Sequence, residues 1–123
     1  MDTSIEPKST IYNKLKEITS IEVNEGTRAV TVMQGRPDEI VLDDLLMVTF
    51  RINSNVPKYT LEKEVAKQDI EVAIDLWALT SIESGLLLIA VEEKMRELDY
   101  LLTFNMDIPD PKGYSHITTQ FNF

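Results

Sequence analysis

The chain has no cysteine. Disulfides, thiolate nucleophiles and cysteine-ligated zinc are therefore excluded, which suits a reducing cytosol. It has one histidine, His116, so no Ser-His-Asp arrangement beyond that single imidazole can be built. Its four glycines are scattered and form no phosphate-cradling loop. Aromatic residues make up 7% of the chain and are not interleaved with Lys or Arg, so no single-strand nucleic-acid platform is visible. Bases are scarce. Twelve Lys and Arg stand against 21 Asp and Glu, a net charge of -9, which opposes sequence-independent binding to phosphate backbones. The longest apolar run, GLLLIAV at 85–91, is far shorter than the ~20 residues that span a bilayer. The first residues carry no signal-peptide core, and no membrane contact is expected.

What is present suits one compact domain, residues 1–123. Hydrophobic residues are 43% of the chain, and a chain this long buries about two-thirds of its unfolded surface. Ile11, Leu15 and Ile18 fall at i, i+4, i+7, predicting a short amphipathic helix over about 8–19 with Pro7 near its start. SIEVNEGTRAVTVM alternates on either side of Asn24-Glu25-Gly26, which reads as a hairpin. Gly35-Arg36-Pro37-Asp38 reads as a turn. LLMVTFRIN, 45–53, is a strand with Val48, Phe50 and Ile52 on one face. The polar stretch Ser54–Gln68, with Pro57 and mixed charges, reads as an exposed loop or arm.

DIEVAIDLWA gives the clearest signal. Ile70, Val72, Ile74 and Leu76 share one face; Glu71, Ala73, Asp75 and Trp77 share the other, so one face packs on the core. Thr80 and Glu83 have capping-box spacing, predicting a helix over about 80–99. Met95 and Leu98 continue the stripe of Leu87 and Val91. Leu86 to Ile89 cover more than one helix face, and burial within the chain is the expected reason.

Leu102, Phe104, Met106 and Ile108 then alternate with polar residues. After a turn at Pro109–Gly113, Ile117, Thr119, Phe121 and Phe123 alternate with His116, Thr118, Gln120 and Asn122, the latter set on the expected solvent face. The whole is an α+β fold: a mostly antiparallel sheet, two helices packed on one of its faces, and a C-terminal hairpin.

No residue set assembles a catalytic, metal or cofactor site. Asp43-Asp44, Glu62/Glu64, Glu92/Glu93 and Asp107/Asp110 are acid pairs without a second ligand type, and read as solvated surface. No enzyme is expected, and no cofactor. Trp77, facing away from the apolar side of its strand, covers a second layer within the fold or anchors an interface.

Three stretches resemble the tail terminator (tail completion, tail-to-head joining) proteins of long-tailed bacteriophages: the IYNKLKEI helix, the LLMVTFRIN strand, and DIEVAIDLWA followed by a helix and a hairpin ending GYSHITTQFNF. Within them, Asp75-Leu76-Trp77 before the second helix and Gly113-Tyr114-Ser115-His116 to Phe121 carry the pattern. The resemblance covers most of the chain outside residues 20–44. It implies a structural virion protein, assembled in the bacterial host cytoplasm and sited at the head-proximal end of the tail. There it forms a hexameric ring of its own copies. One face caps the tail tube protein and stops its polymerisation; the other meets the head connector protein. DNA passes through only in transit, and the acidic balance would repel its backbone. The interface residues expected on this reading are Lys58, Tyr59, Leu61, Glu62, Glu64, Trp77, Tyr114 and His116. Another neck or tail ring component, or a cellular α+β binding module, stays open as the alternative.

Overall fold

The computed structural model describes residues 7–23, 26–35, 45–59 and 65–123. They form α1 (Pro7–Leu15), β1 (Ser20–Val23), β2 (Gly26–Gln34), β3 (Leu45–Tyr59), β4 (Val65–Ala78), α2 (Ser81–Glu97), β5 (Leu101–Ile108) and β6 (Ser115–Asn122). The six strands make one sheet in the order β1-β2-β3-β4-β6-β5. Every neighbouring pair is antiparallel except β2 with β3. The α+β fold with a mostly antiparallel sheet and two helices is therefore what the chain adopts.

Strand β4 lies in the middle of the sheet because its alternation is the most complete. Ile70, Val72, Ile74, Leu76 and Ala78 are all buried. The register sets them beside Val48 and Phe50 of β3 and beside Ile117, Thr119 and Phe121 of β6. Ile11 and Leu15 of α1 and Leu87, Val91 and Met95 of α2 complete this core. Thr119 is polar yet buried, and its hydroxyl donates to the Ile74 carbonyl at 2.7 Å, so it leaves no lone buried donor.

Both helices are shorter than the pattern predicts. α1 ends at Leu15, and Ile18 reaches the core from the turn that follows. α2 starts as expected: Thr80 caps it, its hydroxyl accepting from the Glu83 N–H at 3.2 Å and donating to the Glu83 carboxylate at 3.0 Å. Its end is a feature the sequence hides. Asp99 adopts a left-handed φ of 67°. The Tyr100 and Asp99 N–H groups donate back to the Met95 and Arg96 carbonyls at 2.9 Å each. This is the Schellman closure, usually signalled by glycine; aspartate tolerates the conformation at a modest cost. The expectation that α2's leucine-rich turn is buried all round is corrected. Leu87 is fully buried, but Ile82 and Ile89 are 68% and 64% exposed, because among the described residues no element lies above the outer side of α2.

Two strands depart from the expected pattern. The stretch Ser54–Gln68 is not a loop over its described part: β3 and β4 continue as an antiparallel ribbon, with Val56 across from Asp69 and Lys58 across from Lys67. In β5 a bulge between Leu102 and Phe104 breaks the single alternation. Leu102 sits across from Phe121 on the helix face, whereas Phe104, Met106 and Ile108 sit across from Gln120, Thr118 and His116 on the opposite face. One inserted residue exchanges the faces of everything beyond it.

Candidate interaction surfaces

The sheet face without helices is a ladder of cross-strand neighbours. At one level it carries Thr31, Met47, Trp77, His116 and Ile108; at the next, Met33, Thr49, Asp75, Thr118 and Met106. Trp77 is 4% exposed. Its indole lies on the His116 ring, centroids 4.2 Å apart and planes 17° apart. The His116 Nε2 is 3.1 Å from the Asp75 carboxylate, diagonally across β4 and β6. Of the two readings the sequence leaves open for Trp77, its 4% exposure accords with packing within the chain. His116 lies on the face expected for it, but its side chain is only 12% exposed, because the indole covers it.

Of the other residues expected at an interface, Lys58 and Tyr59 lie at the far end of the ribbon, Tyr114 is half-buried in the turn before β6, and Leu61, Glu62 and Glu64 fall outside the described residues. The structure brings together Trp77 and His116, and keeps both away from Lys58 and Tyr59: the ribbon pairs residues 56–59 with 65–69, and Trp77 lies at the opposite end of β4.

The residues that the pattern did not single out are Leu101, Phe104 and Met106 of β5, 61%, 49% and 47% exposed. β5 is the last strand in the sheet order, so its outer backbone edge has no partner among the described strands. The clue in the sequence was methionine. Met33, Met47 and Met106, three of the five methionines in the chain, stand on this one face, and methionine and aromatic residues mark contact surfaces.

The ribbon is the second candidate element. β6 stops alongside Glu71, with the Phe123 N–H donating to the Ile70 carbonyl at 3.0 Å, and β2 stops alongside Phe50, so among the described residues the pairs from Val56–Asp69 outward have no further strand beside them. Roughly four residues at about 3.3 Å each carry it about 13 Å past the sheet.

A third surface is the outer side of α2. An open groove of about 610 Å³ is lined by Ile89, Glu92, Glu93, Arg96 and Glu97. Its carboxylates do not converge on a ligand: Glu92 pairs with Arg96, and Glu97 with Lys94 at 3.5 Å. Lys94 also holds Glu17 at 3.2 Å, its hydrogen bond keeping the Glu17 carboxyl below its usual range. That exposed network tethers α1 to α2. Glu83, by contrast, is buried, and Arg28 of β2 reaches it at 3.2 Å, fixing the start of α2 against the sheet. Among the described residues, no three His, Asp or Glu side chains could together hold a metal ion, and no helix is long and apolar enough to cross a membrane.

Tyr100, where α2 turns into β5, is 2% exposed, and its hydroxyl finds no partner among the described residues. Burial pushes its phenol from 10.0 up to about 12. The unfolded chain thus loses this proton near pH 10 while the folded chain keeps it, and stability falls as pH climbs from about 10 to about 12. Tyr100→Phe removes an unsatisfied buried hydroxyl. It should raise neutral-pH stability by about 1 kcal/mol and flatten that part of the alkaline decline, both read from urea titrations across pH.

No protein-family profile matches the chain, and no curated protein matches it at a significant level.

Proposed function

We propose that the chain is a structural ring component of a long-tailed phage, the terminator that caps the tail tube and joins it to the head connector. The observation that carries this reading is the β3–β4 ribbon. A two-stranded ribbon is marginal by itself in water, so one that runs past its parent sheet is suited to reaching a neighbouring subunit or the tube. The fold is compatible: a rigid sheet backed by two helices, with chain segments presented at its margins. The three stretches that resemble tail terminators fall on α1, β3 and the β4-α2-β5-β6 unit, which is the body that holds the ribbon. The net charge of -9 accords with a channel wall that lets DNA slide without trapping it.

The test is deletion of Lys58–Glu64. The purified variant should keep the folded signal and a cooperative unfolding transition, because the buried core residues lie outside the deleted segment. In complementation of a gene-deleted phage it should fail to join tails to heads. Normal joining by the deletion variant would remove the ribbon from the mechanism.

A further inference from the structure

Strand β5 has the properties of an edge built to be covered. Eight residues long, it contains no proline and no lysine, and Asp107 is its single charge. Proline, lysine and shortness are the devices that keep sheet edges from pairing. The opposite edge shows what such protection looks like: β1 has only four residues and carries Glu22, which is exposed. β5 also presents Phe104 and Met106 on the helix-free face, about half exposed.

We infer that β5 is the seam of a two-fold dimer, and that its partner is the β5 strand of a second copy of this chain. Charge and register choose this occupant. A chain of net charge -9 meets its own copy with least repulsion along the sheet edge that carries least charge, and of the two edge strands β5, with one carboxylate in eight residues, carries less than β1, with one in four. Antiparallel pairing centred on Asn105 sets Phe104 of each copy across from Met106 of the other. Both lie on the face opposite the helices in each copy, so two sulfur–aromatic contacts form. The same register sets Asp107 across from Thr103, so no carboxylate faces another. The two sheets join edge to edge, and the exposed β5 backbone groups gain partners. The interface is isologous and closes at two copies. It is separate from the ribbon and independent of the tail reading.

The chain is free of cysteine, which makes a single engineered one decisive. In this register the two Asn105 Cα atoms lie about 4.5–5.5 Å apart, within disulfide range. Asn105→Cys, at an exposed position, should give a cross-linked dimer on mild oxidation, whereas Glu22→Cys on the other edge should not. Sedimentation velocity over a concentration series should show the unmodified protein approaching twice its 14.1 kDa chain mass. Phe104→Lys should return it to the single-chain mass with the thermal transition retained. A single-chain mass at every concentration, or cross-linking of Asn105→Cys no faster than that of Glu22→Cys, overturns the seam. A larger closed ring that Phe104→Lys leaves intact also overturns it, while leaving the terminator reading in place.

Discussion

Phe121→Ala lowers the unfolding free energy by about 3–5 kcal/mol, the range for emptying a buried aromatic site. Phe121 is fully buried. It sits across from Val72 on one side and Leu102 on the other, beneath α2, and so joins the central strand to the edge hairpin. Loss of the ring leaves a void between strands that backbone pairing holds apart, which limits collapse and favours the upper part of that range. The readout is the urea midpoint at an unchanged slope, since an altered slope would signal loss of two-state unfolding. A change below about 1 kcal/mol, the level of an ordinary surface substitution, would mean that β6 is not fastened to the core through this residue.

Trp77→Ala should cost about 3–5 kcal/mol, the range for large aromatic truncations, because its indole is 4% exposed and stacked on the His116 ring. The substitution separates two roles. A tryptophan packed within its own chain destabilises the isolated protein when removed. One that anchors a partner leaves the isolated protein nearly unchanged and weakens assembly. Retained stability together with lost self-association would return Trp77 to the interface. Substituting His116 by Ala as well tests the stacking: the two losses should add to more than the double variant shows, since each removes the same contact.

The parts of the fold that could be read from sequence are those where one-sided burial imposes a period. β4 is the clearest case: Ile70, Val72, Ile74 and Leu76 face the helices, and Thr80 with Glu83 marks where the strand yields to α2. The ribbon was missed for the complementary reason. Among the described residues no further strand pairs with 56–59 or 65–69, and a strand stretch whose sequence does not alternate apolar with polar reads as polar loop. The β5 bulge was missed because the alternation of Leu102, Phe104, Met106 and Ile108 is regular in sequence. Only the pairing with β6 shows that a residue is inserted at Thr103. Its hydroxyl donates to the Gln120 carbonyl at 3.1 Å and to the Asn122 side chain at 2.7 Å, local bonds that accompany the offset. Asp99 ends α2 in a conformation that glycine usually announces, and so the helix read two residues too long.

The candidate surface was less legible than the fold. The sequence placed Trp77 and His116 on the correct face, but alternation fixes a side, not a degree of burial. Whether Trp77 meets solvent, a partner or His116 depends on which strand lies next to β4, and β6 arrives there from 41 residues further along the chain. The alternation of Leu102, Phe104, Met106 and Ile108 marked a strand but not which side of it meets the helices, and Leu101 lay outside the pattern. Leu101, Phe104 and Met106 are exposed because they stand on the sheet face opposite α1 and α2, where the register sets them beside Asn122, Gln120 and Thr118.

The most direct measurement is made on a phage or prophage that carries this gene. Delete the gene, induce, and image the lysate by negative-stain electron microscopy. A terminator predicts tail tubes of irregular, excessive length, unattached to filled heads. Filled heads with no tubes at all would assign the chain to the tube or to its initiation instead, and normal infectious particles would contradict a role in the tail altogether.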